Sequence, residues 1–290
     1  MQSNNIKIFV LLITIFLINS SLPVAQTIWR SKASRIGGVS YSEIYSFNLQ
    51  NCEKKTYCTK SDFSVGDLVM HPNGQLFIGG IDGGPEAEIQ VLDTCSQIKS
   101  VTIPISIANV NVGQSLFALC ADKEGQIYVA FNAKTNIYRF NPETEIFTDL
   151  GSLPNNMYVL DFTFTGGKFY ASGYVGSVSH IMEIDLDNIG QSKVLFSDNN
   201  GAYYAKLITI PNLNDCKEAV TYLSRWVDNG PEVGIFDFSD GSFTQICLDE
   251  GNGMASLSNS WPPTRNAIFS SISTGTIAAG CFLMIFVMKT

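Results

Sequence analysis

The chain has 290 residues, of which 45% are hydrophobic and 15% are charged, so it can bury a sizeable core. Acidic residues outnumber basic ones, 26 to 18, and no run of Lys or Arg is longer than the pair Lys54-Lys55. This composition argues against nucleic acid and anionic membrane surfaces as partners, because both require a cationic protein surface.

The N-terminal segment, residues 1–25, has the anatomy of an export signal. Lys7 precedes an uncharged apolar run from Ile8 to Ile18, and small and turn-forming residues follow as far as Ala25. We expect cleavage near Ala25 and export of the rest of the chain. The alternative is a membrane anchor that is not cleaved.

A short strand-and-turn unit recurs five times along the chain. Each copy has an apolar residue, two spacers, a second apolar residue and a closing Asn or Asp. The copies read IYSFN, IQVLD, IYRFN, IMEID and VGIFD, and they close at Asn48, Asp93, Asn141, Asp185 and Asp237. The steps between them are 45, 48, 44 and 52 residues. Repeats at this spacing indicate stacked units, with propeller blades as the first choice.

A second kind of hairpin precedes four of these units, in residues 65–80, 116–131, 159–173 and 205–224. Its first copy, VGDLVMHPNGQLFIGG, has two apolar strands around a turn at Asn73-Gly74, which is a strong hairpin signal. One unit is therefore two hairpins, or four strands. A single sheet of this kind cannot cover its own apolar faces, so the sheets should pack around a common axis. We predict an all-β protein, a β-propeller of about five four-stranded blades in residues 27–250.

Closure of the ring is the weak point of this prediction. There are five copies of one hairpin but only four of the other, because residues 27–42 lack the apolar-turn-apolar pattern. The linker that follows the repeats, residues 251–266, contains Pro262 and Pro263 and could supply one strand at most. The chain is therefore either a small ring with poor closure or an open fragment that lacks further blades, and the strand count favours the open fragment.

The C-terminal segment, residues 267–288, is a run of 22 residues without a charge between Arg265 and Lys289. This length suits a membrane-spanning helix, which is the favoured interpretation. One alternative is a removable lipid-anchor signal, with acceptor positions at Ser256, Ser258 or Ser260. Another is that this tail is foreign to the repeat domain. The expected location is the cell envelope or the extracellular side, with attachment to the membrane.

Six cysteines lie between the two apolar ends, and an even number in an exported domain suggests disulfides. They are Cys52, Cys58, Cys95, Cys120, Cys216 and Cys247. Proximity in the repeats favours Cys52 with Cys58 and Cys216 with Cys247, which leaves Cys95 with Cys120. The alternative is that one or more of them are buried thiols.

The segment from Asp122 to Gly151 resembles the repeats of streptogramin-lyase, gluconolactonase-like and NHL-type propellers. It contains a Gly-x-Ile-Tyr-Val strand, an Ile-Tyr-Arg-Phe strand and an Asn-Pro-x-Thr turn. The resemblance implies the fold and leaves the activity open, because propellers include enzymes, adhesins and scaffolds.

The same resemblance implies where a catalytic site would lie. Streptogramin lyases use a histidine base with a bound metal, and this chain has only His71 and His180. Gluconolactonase-like enzymes hold a metal with carboxylates and amides inside the ring. Here Asp67 and Asp161 fall near the start of inner strands, but Ala118 and Lys206 occupy the equivalent places in the other units. We therefore expect no catalytic residue, no metal and no cofactor.

A binding surface is expected where the loops between the two hairpins of each unit emerge on one face of the ring. The candidate residues on these loops are Asp82, Asn132, Tyr174, Arg225, Trp226 and Asp228. An exposed Trp beside charged residues would suit a sugar or a peptide. Packing of Trp226 against a neighbouring strand is the favoured alternative for that residue.

These observations predict an exported envelope propeller that binds a protein or glycan at the cell surface. The first alternative is a metal-assisted lyase or lactonase on the same scaffold. The second is a fragment of a longer surface protein.

Overall fold

The computed structural model describes residues 27–36, 39–61, 63–82, 87–93, 96–104, 107, 117–131, 134–211, 219–227, 230–248 and 253–255. The predicted signal peptide, residues 1–25, and the apolar segment 267–288 lie outside the described residues, as does most of the linker 251–266. Among the helices that the structure describes, none has the length and apolar character needed to cross a bilayer.

Strands make up almost all of the regular structure in the described part of the chain. In order they are β1 (Thr27–Ile36), β2 (Val39–Asn48), β3 (Lys54–Ser61), β4 (Phe63–Met70), β5 (Leu76–Asp82), β6 (Ala87–Asp93), β7 (Ser96–Thr102), β8 (Phe117–Ala121), β9 (Ile127–Phe131), β10 (Asn136–Asn141), β11 (Ile146–Ser152), β12 (Tyr158–Thr165), β13 (Lys168–Val175), β14 (Val178–Ile184), β15 (Lys193–Asp198), β16 (Tyr203–Pro211), β17 (Ala219–Val227), β18 (Gly230–Phe236), β19 (Phe243–Leu248) and β20 (Gly253–Ala255). Two short 3-10 helices, Pro154–Asn156 and Ile189–Gln191, lie between strands.

The strands form five antiparallel four-stranded sheets, which are the blades of a propeller. Blade 1 is β4 to β7, blade 2 is β8 to β11, blade 3 is β12 to β15, and blade 4 is β16 to β19. Blade 5 has the order β20, β1, β2, β3, so it combines both ends of the described chain. The predicted all-β propeller is thereby confirmed.

The ring closes, and the expectation of an open fragment is wrong. The inner strands β4, β8, β12, β16 and β20 contact one another in turn, and β20 contacts β4 again. Strand β20 pairs with β1 from Trp29 opposite Ala255 to Ser31 opposite Gly253. Residues 27–36 lack a strong alternating pattern, yet all ten pair with β2, and β20 covers the other edge from Trp29 to Ser31.

The apolar core lies between blades rather than within one sheet. Successive side chains of a strand point to opposite faces, so each blade contributes to two clusters. In blade 2, Leu119 and Val129 pack towards blade 1, whereas Cys120 and Tyr128 pack towards blade 3. Five such clusters of buried residues follow one another around the ring. No blade could therefore bury its apolar faces alone.

In four of the five sequence repeats, the closing Asn or Asp caps the turn before the outermost strand. The side-chain oxygen accepts a backbone hydrogen bond from the residue two positions on, which forms an Asx turn. The oxygen-to-nitrogen distances are 2.8 Å at Asn48, 2.9 Å at Asn141, 3.0 Å at Asp185 and 2.7 Å at Asp237. These contacts explain why the repeat ends in residues of this type.

The disulfide pairing expected from proximity is wrong. Cys52 is bonded to Cys247, which joins the β2–β3 turn of blade 5 to β19 of blade 4. Cys58 cannot reach Cys52, because it lies along β3 opposite Ile44 while Cys52 is in the turn; Cys58 is itself disulfide-bonded. Cys120 is a buried free thiol in β8, so it does not pair with Cys95. Cys95 and Cys216 lie outside the described residues.

The Cys52–Cys247 bond should stabilise the ring, because it closes a loop with a sequence separation of 195 residues. We expect replacement of both cysteines by Ser to lower the free energy of unfolding by about 2–5 kcal/mol. Urea unfolding measures this change. The control is the urea unfolding of wild-type protein before and after its disulfides are reduced, because reduction is reversible. An unchanged unfolding midpoint, or a peptide map linking Cys52 to Cys58, would contradict the assignment.

Candidate functional site

Four of the six predicted binding residues lie at or near strand ends rather than in loops, because these strands extend further than expected. Tyr174 belongs to β13, while Arg225 and Trp226 belong to β17. Asp82 is the last residue of β5. Asn132 and Asp228 lie outside the described residues.

Arg225 is engaged within its own blade. Its Nε lies 2.6 Å from Oε1 of Glu232, and its guanidinium is 3.8 Å from the centre of the Phe243 ring. Such a partly buried pair fixes the orientation of the side chain. Arg225 therefore supports the β17–β18 hairpin. Of the two adjacent residues Arg225 and Trp226, Trp226 is the more exposed one.

Three tyrosines form a continuous row across blades 3 and 4. The ring of Tyr174 lies 5.4 Å from that of Tyr158 and 5.4 Å from that of Tyr203. All three side chains are partly exposed. Burial, together with the nearby Tyr174 hydroxyl, raises the pKa of Tyr203 well above its usual range, so its phenol stays protonated. Trp226 lies opposite Tyr203 in the strand register and is 42% exposed, so part of its side chain faces solvent while the rest is covered.

We call these four residues, Tyr158, Tyr174, Tyr203 and Trp226, the aromatic surface. Tyr158 and Tyr203 begin the inner strands β12 and β16, whereas Tyr174 and Trp226 are near the ends of β13 and β17. Because adjacent strands are antiparallel, these positions share one end of the ring. Sequence analysis missed Tyr158 and Tyr203; their position at the start of the inner-strand hairpin was the available signal.

Three buried polar side chains lie near the ring axis, where the inner strands meet. The strand register shifts just before Asp67 in β4, Asp161 in β12 and Lys206 in β16. A bulge of this kind inserts one residue and redirects the side chain that follows. Asp67, Asp161 and Lys206 are 0%, 1% and 2% exposed, respectively. We call these three residues the axial cluster.

The axial cluster links inner strands of different blades. Lys206 Nζ lies 3.2 Å from Asp67 Oδ1 and donates to the Leu160 carbonyl oxygen at 3.0 Å. The backbone amides of Leu119 and Leu207 each donate at 2.8 Å, to Asp67 Oδ2 and Asp161 Oδ2, respectively. Blades 1 to 4 are thus joined through these side chains. Asp67 and Asp161, the two carboxylates that were expected near the starts of inner strands, do come close together. Their partners are a lysine and backbone amides.

The two buried carboxyl groups of the axial cluster differ in how strongly their surroundings favour a bound proton. Burial, and then the negative charge of Asp67, raises the pKa of Asp161 well above its usual range. Burial raises the pKa of Asp67 as well, but the Lys206 ammonium group and the Leu119 amide oppose that rise. We therefore infer that Asp67 stays ionised opposite the Lys206 ammonium group and that Asp161 stays neutral, because two adjacent acids in a dry site do not both ionise.

Neither histidine joins the axial cluster. His71 Nε2 donates to the Gly125 carbonyl oxygen of blade 2 at 2.9 Å, so it is an inter-blade contact rather than a simple surface turn residue. His180 lies in β14 beside Ser197, with Nδ1 to Oγ at 2.8 Å, and burial lowers its pKa. In the part of the chain that the structure describes, no group of three or more His, Cys, Asp or Glu side chains could hold a metal ion.

Comparisons with known proteins do not assign this chain to a family. No protein-family model matches the sequence, and no curated protein matches it. A solved structure, TolB from Acinetobacter baumannii, is similar with a TM-score of 0.49 and 13% identity over 77% of this chain. The match covers 53% of the TolB chain, about half of its length. The strand order and closed ring described above establish the propeller.

The protonation of Asp161 predicts a specific pH dependence. The folded protein keeps a proton that the unfolded chain releases above about pH 4, so stability should fall as pH rises from that point towards the folded pKa. Asp161→Asn keeps an oxygen for the Leu207 amide and cannot ionise. We expect this variant to be at least as stable as wild type at pH 8 and to show a smaller loss with rising pH. Urea unfolding from pH 4 to pH 8 measures both.

The matched variant is Lys206→Met, which leaves the Asp67 charge buried without its ammonium partner. We expect a loss of about 3 kcal/mol or more at pH 7, and a smaller loss near pH 4, where Asp67 can take up a proton. Loss of stability in Asp161→Asn, with no effect in Lys206→Met, would contradict this description of the axial cluster.

Proposed function

We propose that this chain is an exported cell-envelope β-propeller that binds a protein or glycan partner through the aromatic surface. The observation that carries the proposal is Trp226, a large side chain left 42% exposed beside a row of partly exposed tyrosines. Tyr and Trp give a large contact area with few rotatable bonds, which is why they dominate binding sites for proteins and sugars.

The axial cluster favours binding at a face of the ring over chemistry at its axis. Asp67, Asp161 and Lys206 are buried, and their polar atoms already contact backbone groups and one another. A substrate would have to displace these contacts to reach either carboxylate. A binding module is therefore preferred to the metal-assisted lyase or lactonase that the sequence resemblance left open.

Export is supported by the disulfides. Cys52 and Cys247 are bonded to each other, and Cys58 is bonded as well; such bonds persist in oxidising compartments. Together with the apolar segment ahead of Ala25, this supports a protein of the envelope or extracellular side. Attachment through residues 267–288 is the accompanying proposal for how it stays at the membrane.

The scaffold is proposed to be of the streptogramin-lyase, gluconolactonase-like or NHL type. The support is the repeat 122–151, in which Asn141 caps its turn by accepting from the Glu143 and Thr144 amides at 2.9 and 3.2 Å. The resemblance concerns architecture and gives no ligand.

Binding can be tested with the labelled full-length chain on a glycan array and on isolated cell envelopes. We expect Trp226→Ala to weaken binding about tenfold or more, since loss of an exposed aromatic anchor costs more than 1 kcal/mol. Ile146→Ala is the control, because Ile146 is 59% exposed on the outermost strand of blade 2. Binding to the array would identify the partner as a glycan. Binding to envelopes that persists after their glycans are removed would identify it as a protein. Equal binding by Trp226→Ala and wild type would contradict the proposal.

Export can be tested by the N-terminus of the mature protein. We expect mass spectrometry of the native chain to find a first residue close to Gln26, because the cleavage site is predicted near Ala25. A mature protein that retains residues 1–25 in the cytoplasm would contradict export.

A further inference from the structure

A cleft separates blades 1 and 2 at the end of the ring opposite the aromatic surface. Its volume is roughly 320 Å³. The turns β4–β5, β8–β9 and β10–β11 border it, and all three lie where the inner strands end. It is therefore distinct from the proposed binding surface.

The floor of the cleft is apolar. Phe77 and Val91 of blade 1 and Phe140 of blade 2 line it, and all three are buried in the core shared by these blades. Ile98 of the outermost strand β7 stands at the mouth and is 53% exposed. These three side chains expose only their edges to the cleft, at 3%, 5% and 1%, so Ile98 provides the main accessible apolar surface.

Two polar contacts connect the blades on either side of the cleft. On one side, His71 Nε2 donates to the Gly125 carbonyl oxygen, while its Nδ1 accepts from the Asn73 amide at 3.3 Å. A β-carbon at residue 125 would lie 2.6 Å from His71 Nε2, so the contact requires glycine there. On the other side, Lys99 Nζ lies 2.7 Å from Glu145 Oε1. The His71 contact therefore fixes one side of the cleft, while the half-exposed Lys99–Glu145 pair adds little.

The charges around the mouth favour a cation. Glu124 and Glu143 line it, together with Lys99. Lys99 is engaged by Glu145, and Lys123 lies 3.4 Å from Glu124 and offsets part of its charge. Glu143 is then the main carboxylate at the rim, above an apolar floor.

We propose that this cleft binds a small molecule with an apolar body and a protonated amine. At about 30 Å³ for each water molecule, the volume corresponds to roughly ten water-sized units, which is at the small end of ligand pockets. The body would lie against Ile98 and the exposed edges of Phe77 and Val91, and the ammonium group would lie at the rim near Glu143.

Calorimetry with phenylbutylammonium, phenylbutanol and phenylbutyrate tests the proposal, because the three probes share one apolar body and differ in charge. On the full-length wild type we expect the ammonium to bind about tenfold tighter than the alcohol and the carboxylate to bind weakest. Glu143→Gln should bring the ammonium to within about threefold of the alcohol, and added salt should reduce its advantage. Trp226→Ala should leave all three affinities unchanged, which separates this site from the aromatic surface.

Ile98→Trp places a larger side chain in the mouth and should abolish binding of the ammonium. Ile146→Trp, on the outermost strand of the next blade, should bind as wild type does. The proposal is overturned if the ammonium gives no saturable heat, if it binds no tighter than the alcohol, or if Ile98→Trp still binds it.

Discussion

The inner edge of each blade sets the constraint on which the rest of this propeller depends. A four-stranded sheet has two edges, and the inner one is buried where five blades meet, so its backbone groups need partners other than solvent. Side chains from neighbouring blades supply them. Asp67 and Asp161 accept from the Leu119 and Leu207 amides, Lys206 donates to Leu160, and the Ser42 hydroxyl accepts from the Val65 amide at 2.8 Å. Buried charge at the axis thus follows from backbone pairing, with no need for a catalytic role.

The same constraint determines where the proposed binding surfaces lie. Because the axial cluster fills the centre, the accessible features lie at the two ends and in the grooves between blades. The bulges that turn Asp161 and Lys206 to the axis come just after Tyr158 and Tyr203–Tyr204, where β12 and β16 begin. The aromatic surface is therefore built on the same strands that the axial cluster fixes, and a rigid support of this kind suits recognition.

The periodicity of the sequence predicted more of the fold than of the candidate site. The recurring Asn or Asp revealed five units, and in four of them its side chain caps a turn, which is a local interaction. Three features join residues that are far apart in sequence, so no local pattern could reveal them. They are the closure of the ring by β20, the Cys52–Cys247 bond and the Lys206–Asp67 contact. Trp226 was identified by residue type alone. Its partners Tyr158 and Tyr203 were missed, because tyrosines at strand starts look like ordinary core positions.

Hydrogen exchange at single amides tests the central claim most directly. If carboxylates of the axial cluster bind the inner edges, the Leu119 and Leu207 amides should exchange among the slowest in the chain, and only through global unfolding. Their neighbours in regular strand pairs provide the internal reference. Rapid exchange of these two amides in an otherwise protected protein would show that the inner edges are open to solvent and would contradict the account.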